Sequence, residues 1–189
     1  IRPFRAVRPA EGLAGEIAAL PYDVYDEREA REETLRSPLS FLRIDRPETM
    51  FPEGTDVYAP QVYQAAGKAI AEMLERGEFV QEDAPCYYIY ELEEKGLIQD
   101  GIVGCASIDD YQSGVIRKHE ETRPEKVEDR VRHIEACGMQ TGPIFLAYRG
   151  RGELNALVER VKRGEALCRF VSDDGVRHLL NPLAAGALR

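Results

Sequence analysis

The order of strand-type and helix-type segments constrains the fold of this chain more than any other feature. Two β-prone runs, CYYIYEL at 86–92 and GIVGCASI at 101–108, are separated by a turn, which predicts an antiparallel pair. Residues 167–171 and 176–180 flank an Asp-Gly step that is typical of a hairpin turn. Single helices are predicted between these pairs. The sequence therefore predicts an α+β class, a compact mixed and mainly antiparallel sheet with several helices, and not a doubly wound parallel sheet.

Four segments have helical patterns. Asp26 followed three residues later by Glu29 is typical of a capped helix start. Apolar residues recur at helical spacing over 62–74, and further helices are predicted over 125–137 and 153–163. In the helix at 125–137, the residues predicted to face the core are Val127, Val131 and Ile134.

Two short apolar runs are predicted to be strands. They are SFLRI at 40–44 and PIFLAY at 143–148, and the second is expected to be buried.

Cysteines in β-like runs are predicted to be core residues, whereas Cys137, at a helix end, is a weaker candidate for a reactive thiol. The three predicted core cysteines are Cys86, Cys105 and Cys168.

Composition excludes several classes of protein. The 189 residues carry 25 Lys and Arg against 34 Asp and Glu, and this net charge of −9 gives no strong signal for nucleic-acid binding. No apolar run approaches the roughly 20 residues that span a bilayer, so no membrane association is expected. Since no signal peptide opens the chain, we expect a cytoplasmic protein. The four cysteines form no CxxC pair, which argues against a zinc ribbon.

The ends of the chain suggest a larger protein. It opens on Ile1 and closes on a tail of small residues. We therefore expect 1–189 to be a single α/β region that forms the N-terminal half of a longer chain. No pattern indicates the oligomeric state.

Residues 117–133 concentrate the side chains that could do chemistry. This stretch holds six Lys and Arg, five Asp and Glu, and two of the three histidines. On the predicted helix Lys126, Arg130 and His133 share one face, which could point into a cleft. A loop with Thr122 and Arg123 that leads into a helix N-terminus can bind an anion through the helix dipole. The alternative interpretation is a solvated helix stabilised by i,i+4 charge pairs.

A second candidate is Asp23, which lies between two tyrosines in Pro-Tyr-Asp-Val-Tyr and could orient a substrate hydroxyl or a cation. The alternative interpretation is an ordinary Asp turn before a helix cap. Glycine motifs of nucleotide-binding folds, GxGxxG and GxxxxGK[ST], do not occur, so neither a Rossmann nor a P-loop fold is predicted.

Several blocks resemble, in the right order, a bacterial and archaeal family catalogued as domain of unknown function one-thousand-and-fifteen. The blocks are RPFRAVRP, LPYDVYDEREA, SPLSFLRIDRPE, YIYEL, GIVGCASIDDYQSGVIRKHEETRPEKVEDRVRH and GPIFLAY. Members are often labelled SpoOJ/ParA/ParB/RepB-like, and the wider resemblance is to the ParB/sulfiredoxin-like superfamily. It implies a fold that is ParB/sulfiredoxin-like in part, and an Asp-Gly-His-His-Arg motif that this sequence lacks and that we expect beyond Arg189.

The resemblance implies a protein that binds a nucleotide, with ADP or ATP and Mg²⁺ as hypothetical cofactors and a small molecule as its partner. One hypothesis is a phosphotransferase that acts on a hydroxylated metabolite such as free serine, as a related archaeal kinase does. The alternative is a ParB-like regulatory module without kinase activity. DNA binding is least favoured, because the chain has no convincing basic face.

Roles for individual residues follow from their chemistry, and no protein metal ligand is assigned. The candidate catalytic residues are Glu128, Asp129, His119 and Asp23. The candidate substrate-binding or phosphate-binding residues are Arg117, Lys118, Thr122, Arg123, Lys126, Arg130 and His133.

Overall fold

Strands and helices, each with an apolar side, form an α+β fold. The computed structural model describes residues 1–119 and 121–188. The strands are β1 Val7–Pro9, β2 Phe79–Gln81, β3 Cys86–Glu94, β4 Leu97–Val103, β5 Cys168–Val171 and β6 Arg177–Ala184. The α-helices are α1 Ala14–Ile17, α2 Glu27–Arg36, α3 Leu42–Asp45, α4 Pro60–Glu75, α5 Ile108–Gln112, α6 Pro124–Cys137 and α7 Gly152–Lys162. Short 3-10 helices cover Tyr22–Val24, Pro47–Met50 and Ala185–Leu188.

These elements belong to two compact units. Residues 1–15, 80–119 and 146–188 form the first unit, and residues 16–79 and 121–145 form the second. The prediction that 1–189 is a single α/β region within a longer chain stays a prediction.

A four-stranded antiparallel sheet with the order β4-β3-β6-β5 forms the centre of the first unit. Tyr87 and Ile89 of β3 lie on the same face of the sheet, and they pack against Leu157 and Val158 of α7. Gly175 between β5 and β6 has a φ of 84°, as the Asp-Gly turn signal requires. The antiparallel pair, the hairpin and the last helix predicted from the sequence are thus confirmed.

His178 of β6 sits in a chain of side-chain hydrogen bonds within the first unit. The carboxylate of Asp174 only accepts, so the Ser172 hydroxyl donates to it, at 2.5 Å. Ser172 Oγ therefore accepts from His178 Nε2 (2.9 Å), and Nδ1 accepts from the Tyr90 hydroxyl (2.6 Å). The ring also stacks on Phe170, with centroids 4.5 Å apart. Burial lowers the pKa of His178, although the negative charge of Asp174 acts to raise it.

Helices form the second unit. Asp26 accepts from the backbone N–H of Glu29, whose side chain accepts in turn from the N–H of Asp26, so the predicted capping box starts α2. The predicted long helix is α4, and it packs against α6. Gly67 permits this packing, because a β-carbon there would collide with the carbonyl oxygen of Ala136.

Neither of the two short apolar runs that we predicted to be strands is a strand. Leu42 and Ile44 are fully buried, but they lie on helix α3. Residues 143–148 have no regular secondary structure, and Ile144 and Phe145 are 71% and 78% exposed. A short apolar run has too few residues to show whether its period is that of a strand or a helix.

Candidate functional site

Helix α6 turns its charged face inward. Val127 and Val131, which we predicted to face the core, are 48% and 47% exposed. His133 is 1% exposed, and Lys126 and Arg130 on the same face are partly buried. We predicted that Lys126, Arg130 and His133 share a face that could point into a cleft, and the cleft stays a prediction. The predicted burial of the two valines is wrong.

Arg130 is the centre of this face. Its Nη2 and Nε donate to Oδ2 of Asp129, at 2.9 and 3.1 Å, and its guanidinium lies over the ring of Tyr22, 5.0 Å from the centroid. The hydroxyl of Tyr63 on α4 donates to the other carboxylate oxygen of Asp129, at 2.8 Å. Four side chains from three parts of the second unit therefore form one connected group.

Hydrogen bonds from Arg46 to backbone carbonyl oxygens fix the short helix that carries Tyr22. Arg46 Nη1 donates to the carbonyl oxygens of Tyr22 (3.2 Å) and Tyr25 (3.0 Å), and its Nε donates to the buried carboxylate of Glu48. Because Arg46 is itself fixed by this ion pair, the short helix that carries Tyr22 is anchored before any ligand binds.

His133 connects α6 to α3. Its Nε2 lies 2.8 Å from the carbonyl oxygen of Ile44, which can only accept, so Nε2 carries the proton. Nδ1 then accepts from the Thr141 hydroxyl, at 3.4 Å. Burial lowers the pKa of His133, although the bond to Ile44 opposes this. Both nitrogens of this predicted phosphate-binding residue are therefore engaged within the protein.

Asp45, at the end of α3, is a functional candidate that sequence reasoning missed. Burial raises the pKa of its carboxyl to about 6, even though the positive charge of Arg130 lowers it. Burial also raises the pKa of the Cys137 thiol to about 11, and the negative charge of Asp45 adds to this increase. Cys137 is buried and protonated, which argues against a reactive thiol.

The remaining candidates on the second unit lie at the surface. Glu128 is exposed and pairs with Arg132 one turn later. Asp23 is exposed in the 3-10 helix Tyr22–Val24. Thr122 is exposed, and Arg123 lies 3.6 Å from the carboxylate of Glu125.

The N-terminus of α6 offers an anion few donors. Pro124 has no N–H, and the N–H groups of Lys126 and Val127 both donate to the carbonyl oxygen of Arg123, at 2.9 and 3.2 Å. Side chains, more than the backbone of this helix start, would have to bind a phosphate.

Arg117, Lys118 and His119 belong to the first unit, where all three are exposed. Lys118 Nζ lies over the ring of Tyr111, 5.3 Å from the centroid. Glu120, in the same charged stretch, lies outside the described residues.

Among residues 1–119 and 121–188, neither a metal-binding cluster nor a membrane-spanning helix occurs. In these ranges no group of three or more His, Cys, Asp or Glu side chains is arranged to hold a metal ion. In the same ranges no helix is both long enough and apolar enough to span a bilayer.

The fold and this site together define a class: an α+β protein whose second unit buries a charged helix face around an arginine. Residues 1–187 match the family model described as "Protein of unknown function (DUF1015)", and the chain belongs to that family. No curated protein and no solved structure matches the chain.

Proposed function

We propose that the chain binds the phosphate groups of a nucleotide at Arg130 and transfers a phosphoryl group to a small hydroxylated molecule. The observation that carries the proposal is the inward orientation of the charged face of α6. Burying charged groups costs free energy, and turning Val127 and Val131 inward instead would avoid this cost. An arrangement that opposes stability in this way is typical of a functional site.

Arg130 is suited to bind an anion. Asp129 engages two of the five N–H groups of its guanidinium, and no other acceptor among the described residues is bonded to it. Its side chain is 33% exposed, so the other N–H groups can reach a ligand. Lys126, one turn earlier on the same face, would add positive charge.

The nucleotide and the acceptor come from the family resemblance. It suggests ADP or ATP with Mg²⁺, and free serine as the first acceptor to test. In the transfer, the acceptor hydroxyl oxygen would form a bond to the γ-phosphorus, the bond to the β–γ bridging oxygen would break, and ADP would leave. The hydroxyl proton would pass to a carboxylate of the protein.

Calorimetric titration with ADP and with ATP plus Mg²⁺ tests the proposal. Arg130→Ala should weaken binding by about 10- to 100-fold, because a charge-assisted hydrogen bond contributes about 1.5–3 kcal/mol. Arg132→Ala is the matched control, since Arg132 is an exposed arginine on the same helix that pairs with Glu128.

Two results would overturn the proposal. One is the absence of binding heat with either nucleotide up to millimolar concentration. The other is an equal loss of affinity in the Arg130 and Arg132 variants. If the nucleotide binds, phosphorylation of serine is assayed next, and binding without turnover of any hydroxylated acceptor would leave the regulatory alternative.

A further inference from the structure

A small cavity lies between α3 and α4, wholly within the second unit. Its volume is about 200 Å³, below the roughly 300–1,000 Å³ of pockets that hold drug-sized ligands. Ala65 and Ala69, one turn apart on α4, line it with side chains that are too short to fill the space beside α3. None of the described residues that line it belongs to the group around Arg130, so a ligand here would be independent of the proposed function.

The lining of the cavity is positively charged, although the whole chain has a net charge of −9. Within residues 1–119 and 121–188, the charged residues of the lining are three cations, Arg43, Lys68 and Arg76, and one carboxylate, Glu72. Glu72 lies 3.6 Å from Lys68 Nζ and 3.7 Å from Arg76 Nη1, and both distances exceed that of an ordinary hydrogen bond. Arg76 also pairs with Glu78, so Arg43 and Lys68 supply most of the surplus positive charge. Such a lining attracts an anion.

Arg43 contacts only neutral acceptors. Its Nη1 donates to the carbonyl oxygen of Pro38, at 2.7 Å, and its Nη2 lies 3.6 Å from the sulfur of Met50. In the part of the chain that the structure describes, no carboxylate oxygen lies within 4.0 Å of its guanidinium nitrogens. The two contacts fix the guanidinium, and its remaining N–H groups can donate to a carboxylate.

The buried part of the lining combines one hydroxyl with apolar side chains. Ser40 is 3% exposed, and its Oγ accepts from the backbone N–H of Leu42, at 3.3 Å. Among the described residues its hydroxyl donates to no acceptor, which costs free energy that a ligand oxygen would recover. Ile44, Met50 and Met73 complete this part of the lining, and methionine side chains adapt to an alkyl chain.

We propose that this cavity binds a small organic anion, a carboxylate that carries a short alkyl chain. The carboxylate would accept from the guanidinium of Arg43 and from the hydroxyl of Ser40, and Lys68 at the exposed rim would add positive charge. The alkyl chain would lie against Met50 and Met73. An anion without an apolar part would use only the charged half of the lining, and a neutral apolar molecule would use only the other half.

Hexanoate is the probe, and the three methionines of the chain report on it. Met50 and Met73 line the cavity, whereas Met139, in the same unit, is not among the described residues that line it. In ¹H–¹³C spectra of protein labelled at its methionine methyl groups, hexanoate should shift the signals of Met50 and Met73, with saturation at about millimolar concentration. The signal of Met139 should not move. Acetate, which lacks the alkyl chain, and hexanamide, which lacks the charge, should bind at least about tenfold more weakly.

Two substitutions with matched controls test the parts of the site. Arg43→Gln should weaken hexanoate binding about tenfold or more, whereas Arg28→Gln, at an exposed arginine of α2, should leave it unchanged. Ala69→Leu retains every charge but fills the cavity, so it should abolish binding. Ala71→Leu, at an exposed position of the same helix, should bind hexanoate as the wild type does.

The inference fails if hexanoate leaves the Met50 and Met73 signals unshifted up to about 10 mM, or if Met139 shifts equally. It also fails if hexanamide binds as tightly as hexanoate, or if a folded Arg43 or Ala69 variant keeps the wild-type affinity. Should one variant not fold, as judged by circular dichroism, the other variant and the comparison of probes on the wild type still test the site. Arg130→Ala should bind hexanoate normally, so a failure of the proposed function is distinguishable from a failure here.

Discussion

At the scale of single residues, Asp45 is a group whose ionised form opposes folding. Its pKa is raised from 3.8 to about 6 in the folded chain. The protonated form therefore stabilises the fold at low pH, and this contribution is lost as the pH rises through about 6. We predict that Asp45→Asn stabilises the chain by about 1–3 kcal/mol near pH 7.5 and changes its stability little near pH 4. Urea unfolding at the two pH values measures this difference, and a variant that is less stable near pH 7.5 would contradict it.

Tyr63 holds Asp129 in place, and removing its hydroxyl should destabilise the second unit. Asp129 is 12% exposed, so the loss of the 2.8 Å bond leaves a largely buried carboxylate oxygen without its partner. We predict that Tyr63→Phe lowers the free energy of unfolding by about 1–3 kcal/mol. Tyr58→Phe, at an exposed tyrosine, should change it by less than about 0.5 kcal/mol. Equal effects of the two substitutions in urea unfolding would show that the bond to Asp129 contributes nothing.

At the scale of elements, the positions of the long helices could be predicted, but the face that one of them buries could not. The bounds of α6 follow from Pro124 at its start and from helical spacing. Its apolar stripe and its charged stripe are adjacent, and the hydrophobic effect alone favours burial of the valines. The observed orientation is stabilised by partners distant in sequence, the carbonyl of Ile44 and the hydroxyl of Tyr63, which a local pattern does not contain.

The contact between α4 and α6 depends on one glycine. A β-carbon at Gly67 would overlap the carbonyl oxygen of Ala136, and a backbone atom cannot move aside as a side chain can. We predict that Gly67→Ala destabilises the second unit by about 1–3 kcal/mol or more. Gly152→Ala on α7 meets nothing within 4 Å and should be neutral or slightly stabilising. Thermal unfolding of both variants tests this, and a Gly67 variant as stable as the Gly152 variant would contradict the tight packing.

At the scale of the whole molecule, sequence reasoning found part of the candidate site. Arg130, Asp129 and Lys126 were named because they lie in one charged stretch, and the structure places all three on the inward side of α6. Asp45 and Tyr63 were missed because each lies more than 60 residues earlier and joins the site only through folding. The SFLRI run, which was predicted to be a strand, ends one residue before Asp45. Because of that prediction, the helix α3 that carries this carboxylate was not recognised.

The response of the whole chain to acid should depend on where its three histidines lie. Burial lowers the pKa of His133 and of His178 below the ordinary value of 6.5, so the folded chain keeps both neutral where the unfolded chain protonates them. Their stabilisation is therefore present above about pH 6.5 and is lost as the pH falls through the lowered pKa values. Asp45 acts in the opposite direction, so each histidine must be tested by its own substitution. We predict that His178→Gln reduces the fall in unfolding free energy between about pH 7 and about pH 5, relative to the wild type. Urea unfolding across this range tests the prediction: an unchanged pH dependence of the His178 variant would mean that burial of the ring does not favour its neutral form.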